Sequence, residues 1–193
     1  IVDAVADAFL QRFAAAVATF KVGDPTERAT QIGPLARLDL REALDRQVQE
    51  SVTQGARVVT GGQPLAGRGY FYAPTILTEV TKDMPVMSEE TFGPVAAVTR
   101  ARDIDEAIAI ANDSHYGLSG TVWTADVQRG LEVARQVRTG TYTVNGFALE
   151  FGAPFGGFKA SGLGRELGPE GLQAYLEAKA ISLPAGTQPA LRF

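Results

Sequence analysis

The sequence predicts an α/β fold, a layered and largely parallel sheet with crossover helices, followed by a C-terminal strand of a different kind. Three observations predict it. Apolar runs of strand length alternate with amphipathic stretches of helix length along the 193 residues, and that alternation calls for crossovers between parallel strands. Gly or Pro punctuates the junctions between runs, where turns must form. Hydrophobic residues make up 45% and charged residues 21%, which is the balance of a chain able to bury a core.

The elements follow in order. Ile1–Phe20 carries Val5, Phe9, Phe13 and Val17, a stripe with helical spacing. Val22-Gly23-Asp24-Pro25-Thr26 breaks it. A second stripe, Leu40, Leu44, Val48 and Val52, ends at Gly55 in the position glycine favours after a helix. Arg57–Thr60 reads as a strand stopped by Gly61-Gly62, Tyr70–Val80 as extended with Pro74 at an edge or bend, and Val95–Thr99 as a buried strand. Asp103-Ile104-Asp105-Glu106 has capping-box spacing and opens a helix through Ile108 and Ala111. Gly120–Trp123 is strand-like. Thr124 is placed to cap a helix carrying Val127, Leu131, Ala134 and Val137. Thr141–Asn145 is another strand, Gly152–Gly168 a glycine-rich stretch, and Pro169–Leu176 a short helix with proline where the missing N–H costs nothing. Ala178–Leu183 is the final strand. No partner follows it, and open strand edges tend to be covered by another chain. The expected division is one body over 1–177 and a strand and tail over 178–193.

Several function classes fall away. Net charge is −4 and no Lys/Arg cluster occurs, so the footprint of a nucleic-acid binder is missing. The apolar runs are too short for a membrane span, and no signal-peptide pattern opens the chain. With no cysteine and one histidine, the chain has no thiolate metal site and no thiol nucleophile. His115 lies just past a predicted helix end in Ser114-His115-Tyr116-Gly117 and reads as structural. The chain opens on Ile1, inside what reads as a helix, so a fragment or a processed product is expected.

Two motifs carry chemistry. In Glu89-Glu90-Thr91-Phe92-Gly93-Pro94-Val95 a carboxylate and a flat ring stand on a rigid turn leading into a strand. Such a carboxylate could accept hydrogen bonds from vicinal hydroxyls while the ring packs on a planar heterocycle; a capped loop with an ordinary core Phe fits the same residues. Pro154-Phe155-Gly156-Gly157-Phe158-Lys159-Ala160-Ser161-Gly162-Leu163-Gly164-Arg165-Glu166 invites a phosphate-loop interpretation that fails. Gly162-Leu163-Gly164 meets Leu167 where the dinucleotide fingerprint needs its third glycine, and Phe158 separates Gly157 from Lys159. Glycines here suit positive φ and close backbone approach.

These two motifs, in this order and at this separation, resemble the C-terminal hallmarks of the aldehyde dehydrogenase family. Lys21-Val22-Gly23-Asp24-Pro25, Ile32-Gly33-Pro34-Leu35, Pro74-Thr75-Ile76-Leu77, Tyr116-Gly117-Leu118 and Tyr175-Leu176-Glu177-Ala178-Lys179 resemble it as well, so the likeness runs from about Ile1 to Pro184. It implies oxidation of an aldehyde to a carboxylic acid with NAD or NADP by a cytoplasmic homo-oligomer, dimer or tetramer. In that chemistry a cysteine thiolate attacks the aldehyde, hydride passes to the cofactor, and water activated by a glutamate hydrolyses the thioester. By resemblance the cysteine, the base glutamate, the oxyanion asparagine and the dinucleotide domain all precede Ile1, so the chain alone is expected to be inactive.

The resemblance also implies roles. Glu90 matches the glutamate on the nicotinamide ribose hydroxyls, and Phe92 the aromatic near the nicotinamide. Phe155 matches a wall of the aldehyde tunnel, and Phe147 and Leu149 would line its apolar entrance with Phe151. Glu166 matches a glutamate that relays a proton from the general base, and a structural ion pair would use it equally well. Arg165 and Glu177 match a structural pair near the subunit interface, and Ala178–Leu183 a strand that extends the partner's sheet. No metal is implied. Leu40 and Ala43 depart from polar residues that some members direct at the adenosine ribose. Apolar Asn145–Phe155, with Glu150 in it, favours a hydrophobic aldehyde over a dicarboxylic semialdehyde. Two alternatives stay open: half of a split enzyme completed by an N-terminal chain, and a non-catalytic assembly or binding module. Apolar surfaces left bare in the isolated chain should make it aggregate or oligomerise.

Overall fold

The computed structural model describes residues 1–187. The helices are α1 Asp3–Ala18, α2 Leu38–Thr53, α3 Pro85–Ser88, α4 Ile104–Asn112, α5 Val127–Gln136 and α6 Gly168–Gln173. The strands are β1 Arg57–Thr60, β2 Thr75–Thr78, β3 Val95–Ala97, β4 Ser119–Val122 and β5 Thr141–Val144, and a 3-10 turn covers Lys159–Ser161. The α/β character stands. The chain divides into two compact units, Ile1–His115 and Tyr116 onward, where the sequence suggested one body over 1–177.

Strand pairing follows the connections. β1 and β2 are joined by a loop without a helix and pair antiparallel, whereas β2 pairs parallel to β3 across the crossover that holds α3. In the second unit β4 and β5 pair parallel across α5. The expected single, largely parallel layered sheet is therefore a mixed three-stranded sheet and a separate two-stranded one. No strand pairing involves Ala178–Leu183 among the described residues, because a strand needs a partner for its main-chain groups and this chain offers none there. The rest of the predicted tail, 188–193, lies outside the described residues.

The first unit's core forms where α2 lies on the sheet. Leu44, Val48, Ala56, Tyr72, Leu77, Val80, Met84 and Val86 cluster there, and burial of each large apolar side chain contributes about 1.5–3 kcal/mol. The α2 stripe thus has the predicted phase, and Gly55 takes a positive φ of 112° as it closes the helix. On α1 the phase differs. Ala6, Leu10 and Val17 face inward while Val5 and Phe9 are exposed; the helix is apolar on more than one face, so periodicity fitted two stripes and packing selected the other. Ile1 is not inside a helix either. Val2 bridges Ala101 in parallel, with the Asp3 amide donating to the Ala101 carbonyl at 2.8 Å.

Two caps refine the helix starts. Asp103 Oδ1 accepts the Glu106 amide at 2.9 Å, as the spacing predicted, but the Glu106 carboxylate takes the amide of Arg102 at 2.7 Å. For α5 the cap is Asp126, which accepts the amides of Gln128 and Arg129 at 3.0 and 3.1 Å. Thr124 Oγ1 accepts the Asp126 amide one step earlier. A carboxylate serving two orphan N–H groups wins over a hydroxyl. Among the described residues no helix is long and apolar enough to cross a membrane.

Candidate functional site

Loop 89–94 joins α3 to β3, and α2 grips it. Glu89 receives Arg46 at 2.7 Å and the Gln47 side-chain amide at 3.0 Å. The Arg46 hydrogen bond, followed by that of Gln47, holds the Glu89 carboxyl below the usual carboxylate range. The same Gln47 Nε2 donates to the Glu90 carbonyl at 3.0 Å. Gly93, at φ 157°, lies so close to α2 that a Cβ would stand 2.4 Å from Leu44 Cδ2, so glycine is required there for space as well as for conformation. The Pro94 carbonyl accepts the Thr75 amide at 2.8 Å, which leads the loop into register with β2.

What this grip leaves outside is chemical. Glu90 is exposed, and among the described residues its carboxylate has no ion-pair partner. The Phe92 ring is 67% exposed, so it is not an ordinary core Phe. Between them the Thr91 hydroxyl is buried. The alternation is that of an extended segment. An anionic acceptor beside an open ring face suits a ligand with paired hydroxyls attached to a flat heterocycle.

The second unit presents the glycine-rich stretch as a closed loop. Phe155 and Glu166 exchange both main-chain hydrogen bonds at 2.7 Å, which fixes the base of 156–165. The Arg165 guanidinium donates to the Gly157 carbonyl at 3.0 Å and the Gly164 carbonyl at 2.6 Å and lies over the Phe158 ring at 5.4 Å. Gly117 anchors the loop, since its carbonyl accepts the Phe158 and Gly140 amides at 2.8 and 3.0 Å and its amide donates to Ser161 Oγ at 2.9 Å. At Gly140 a Cβ would fall 1.5 Å from the Gly156 carbonyl oxygen. These glycines permit close backbone approach, as the sequence suggested.

An open groove of about 760 Å³ runs along this loop, and Phe155, Arg165 and Glu166 line it with Leu118, Leu172 and Tyr175. Phe147 and Leu149 are not part of its lining. They stand exposed on the stretch after β5, with Phe147 84% exposed. Asn145, at φ 56°, clips the start of that stretch by exchanging side-chain hydrogen bonds with the main chain of Thr124 at 2.7 and 2.8 Å. Positive φ is tolerable for asparagine. Glu150 Oε1 accepts the Gly152 amide at 3.2 Å. The ion pairs of the described residues do not include Arg165 with Glu177; the guanidinium is taken up by the loop carbonyls. Glu90 and Phe92 belong to the first unit and the other predicted site residues to the second. No group of His, Asp or Glu among the described residues could hold a metal.

Gln47 and Arg46 escaped the sequence analysis. Arg46 and Glu50 have visible helical i,i+4 spacing, and their ion pair forms at 2.9 Å, but nothing local tied either Arg46 or Gln47 to Glu89 more than 40 residues away.

The α/β segment thus carries an open carboxylate and ring on one loop and a glycine-built groove along another. The chain belongs to the aldehyde dehydrogenase family, whose model matches residues 1–181. It is 43% identical over 182 residues to the succinate semialdehyde dehydrogenase [NAD(P)+] of Escherichia coli K12, covering 94% of this chain and 39% of that protein. It is 42% identical to the geranial dehydrogenase of Castellaniella defragrans, covering 92% of this chain and 37% of that protein. Among solved structures, an aldehyde dehydrogenase from Mycobacterium tuberculosis complexed with NAD+ matches with a TM-score of 0.91 at 41% identity, over 96% of this chain and 39% of that one. The chain therefore spans about two fifths of the length of these relatives.

Proposed function

We propose that this chain is the C-terminal catalytic segment of an NAD(P)-dependent aldehyde dehydrogenase oxidising an aldehyde to a carboxylic acid, and that it is inactive alone. The observation that carries the proposal is the Glu90 carboxylate and the Phe92 ring, both open on a loop that α2 holds at Glu89, the Glu90 carbonyl and Gly93. Glu90 accepts the hydroxyls of the nicotinamide ribose and Phe92 supports the nicotinamide. When bound, NAD or NADP supplies the hydride acceptor. Phe155 walls the aldehyde path, with Phe147 and Leu149 at its entrance. Glu166 passes a proton from the general base, and its exposure on the groove supports contact with solvent. Arg165 braces the glycine loop, and Glu177 precedes the strand that joins a partner subunit.

A thiolate nucleophile must come from an N-terminal part, either of the same polypeptide or of a separate chain, because no side chain here can replace it. The exposed Val5 and Phe9 on α1 support a covering of that face in the complete enzyme. Ala178–Leu183, unpaired here, is the edge through which a cytoplasmic dimer or tetramer forms.

The substrate is a hydrophobic aldehyde. Phe147, Leu149 and Phe151 are exposed around a carboxylate, Glu150, that a main-chain amide holds in place, and an anionic tail would meet a like charge there. The similarity to a protein named for geranial accords with this. The similarity to one named for succinate semialdehyde favours the other class, and kcat/KM for octanal against succinate semialdehyde decides between them.

The central test adds aldehyde and NAD+ to this chain with and without an N-terminal part carrying the cysteine. NADH should form only with both, and the Glu90→Gln variant should raise the KM for NAD+. NADH from this chain alone would overturn the proposal. Silence after correct assembly would leave a non-catalytic assembly module.

A further inference from the structure

We infer that Gln47 is a positioning residue for the dinucleotide, which decides that Glu90 and not Glu89 faces the ribose. The inference rests on the role proposed for Glu90. Two adjacent carboxylates on one loop could each turn outward, and only a neighbouring group can break the tie. The two N–H bonds of Gln47 Nε2 do so. One takes the Glu89 carboxylate at 3.0 Å, turning it toward α2, and the other takes the Glu90 carbonyl at 3.0 Å, which aims the Glu90 side chain away. Gln47 is 5% exposed, so its amide is fixed by these two bonds rather than by water.

A second grip fixes the other end of the segment. Leu44 lies one turn earlier on the same face of α2 and fills the space beside Gly93 where a Cβ would stand. Glu90-Thr91-Phe92 is thus held at both ends by residues three positions apart, with the Thr91 hydroxyl buried between them. Arg46 reinforces Glu89 from the surface at 2.7 Å, and its side-chain hydrogen bonds run to Glu50 and Glu89. Gln47 joins the two glutamates.

The test uses the complete enzyme, this segment together with its cysteine-bearing N-terminal part. Four forms are compared: wild type, Gln47→Leu, Glu90→Gln and the double variant, each assayed for the KM of NAD+, the KM of the aldehyde and the melting temperature. Gln47→Leu should raise the KM for NAD+ about fivefold, the worth of an ordinary hydrogen bond, and leave the KM of the aldehyde unchanged. Because Gln47 acts through Glu90, the double variant should be no worse than Glu90→Gln. Gln47→Lys, which retains donors for both acceptors, should recover most of the loss.

If Glu90→Gln leaves the KM for NAD+ unchanged, the role of Glu90 itself fails. If Glu90→Gln raises it while Gln47→Leu does not, or if the two effects add, the positioning role fails and that of Glu90 survives. A purely structural Gln47 would lower the melting temperature and raise both KM values together, which also overturns the inference. Should Gln47→Leu not fold, Gln47→Asn, whose shorter amide cannot reach both acceptors, is judged by the same outcomes.

Discussion

Loop 89–93 is held to α2 by side chains, through Arg46, Gln47 and Leu44. Loop 156–165 is held by main chain, through the Phe155–Glu166 bridge, the Gly117 carbonyl and the carbonyls that Arg165 gathers. Each solution suits what the loop presents. The first offers one carboxylate and one ring, so selected side chains must be restrained while two remain open. The second offers a wall, so what matters is how closely backbones approach. A side-chain grip can be weakened one bond at a time, whereas a main-chain approach fails as soon as a Cβ intrudes.

The largest expected effect lies in the second region. Gly140→Ala places a methyl 1.5 Å from the Gly156 carbonyl oxygen, with backbone on both sides of the clash. Since backbone cannot yield as a side chain can, destabilisation should exceed about 3 kcal/mol in urea unfolding. A cost below about 1 kcal/mol would mean that the two strands of main chain separate easily. Gly93→Ala should cost less, roughly 1–3 kcal/mol, because its clash partner is the end of the Leu44 side chain. Its signature is a raised KM for NAD+ in the complete enzyme. A variant that melts early yet binds NAD+ normally would separate this grip from the site.

A smaller effect tests how α2 is seated on the sheet beneath its grip on loop 89–93. The buried Tyr72 hydroxyl donates to Asp45 at 3.0 Å, and burial, then the Asp45 carboxylate, pushes the phenol above its ordinary range. Tyr72→Phe should cost about 1 kcal/mol at neutral pH. The pH sign is fixed. Above about pH 10 the unfolded chain loses this proton while the folded one retains it, so wild-type stability falls as pH rises through that region. Removing the hydroxyl should flatten this alkaline limb in thermal melts, and an unchanged limb would assign it to other groups.

The same contrast explains what the sequence disclosed. The stripe on α2, the cap at Asp103 and the strands β1, β3 and β5 depend on neighbours in sequence and were legible there. The turn at Gly93-Pro94 ahead of β3 was legible too, and the structure leaves Glu90 and Phe92 exposed on it. The choice of buried face on α1 was not legible, because Val5 and Leu10 are equally apolar and only the sheet decides between them. The split into two sheets, the transfer of Arg165 to the Gly157 and Gly164 carbonyls, and the bond from Gln47 to Glu89 depend on contacts distant in sequence. No spacing rule reaches them.

The smallest expected effect belongs to Glu89 and distinguishes the two regions most sharply. Arg46 first and Gln47 second hold its carboxyl below the usual value of 4.5. The linked stabilisation is present above that value and is lost as pH falls through the lowered one. The hydrogen bonds from loop 156–165 to Gly117 use the Phe158 amide and the Ser161 hydroxyl, which do not titrate in acid. In an acid titration followed by NMR, the Gln47 side-chain amide signals should therefore move with a midpoint below 4.5, while the amide signals of Gly117 and Phe158 stay still. Glu89→Gln should abolish the movement and shift Tm by no more than about 2 °C, because the ion pair is exposed and water competes for both partners. Parallel movement of Gly117 and Phe158 would show the main-chain loop to be held by charge as well, and the contrast between the two regions would fall.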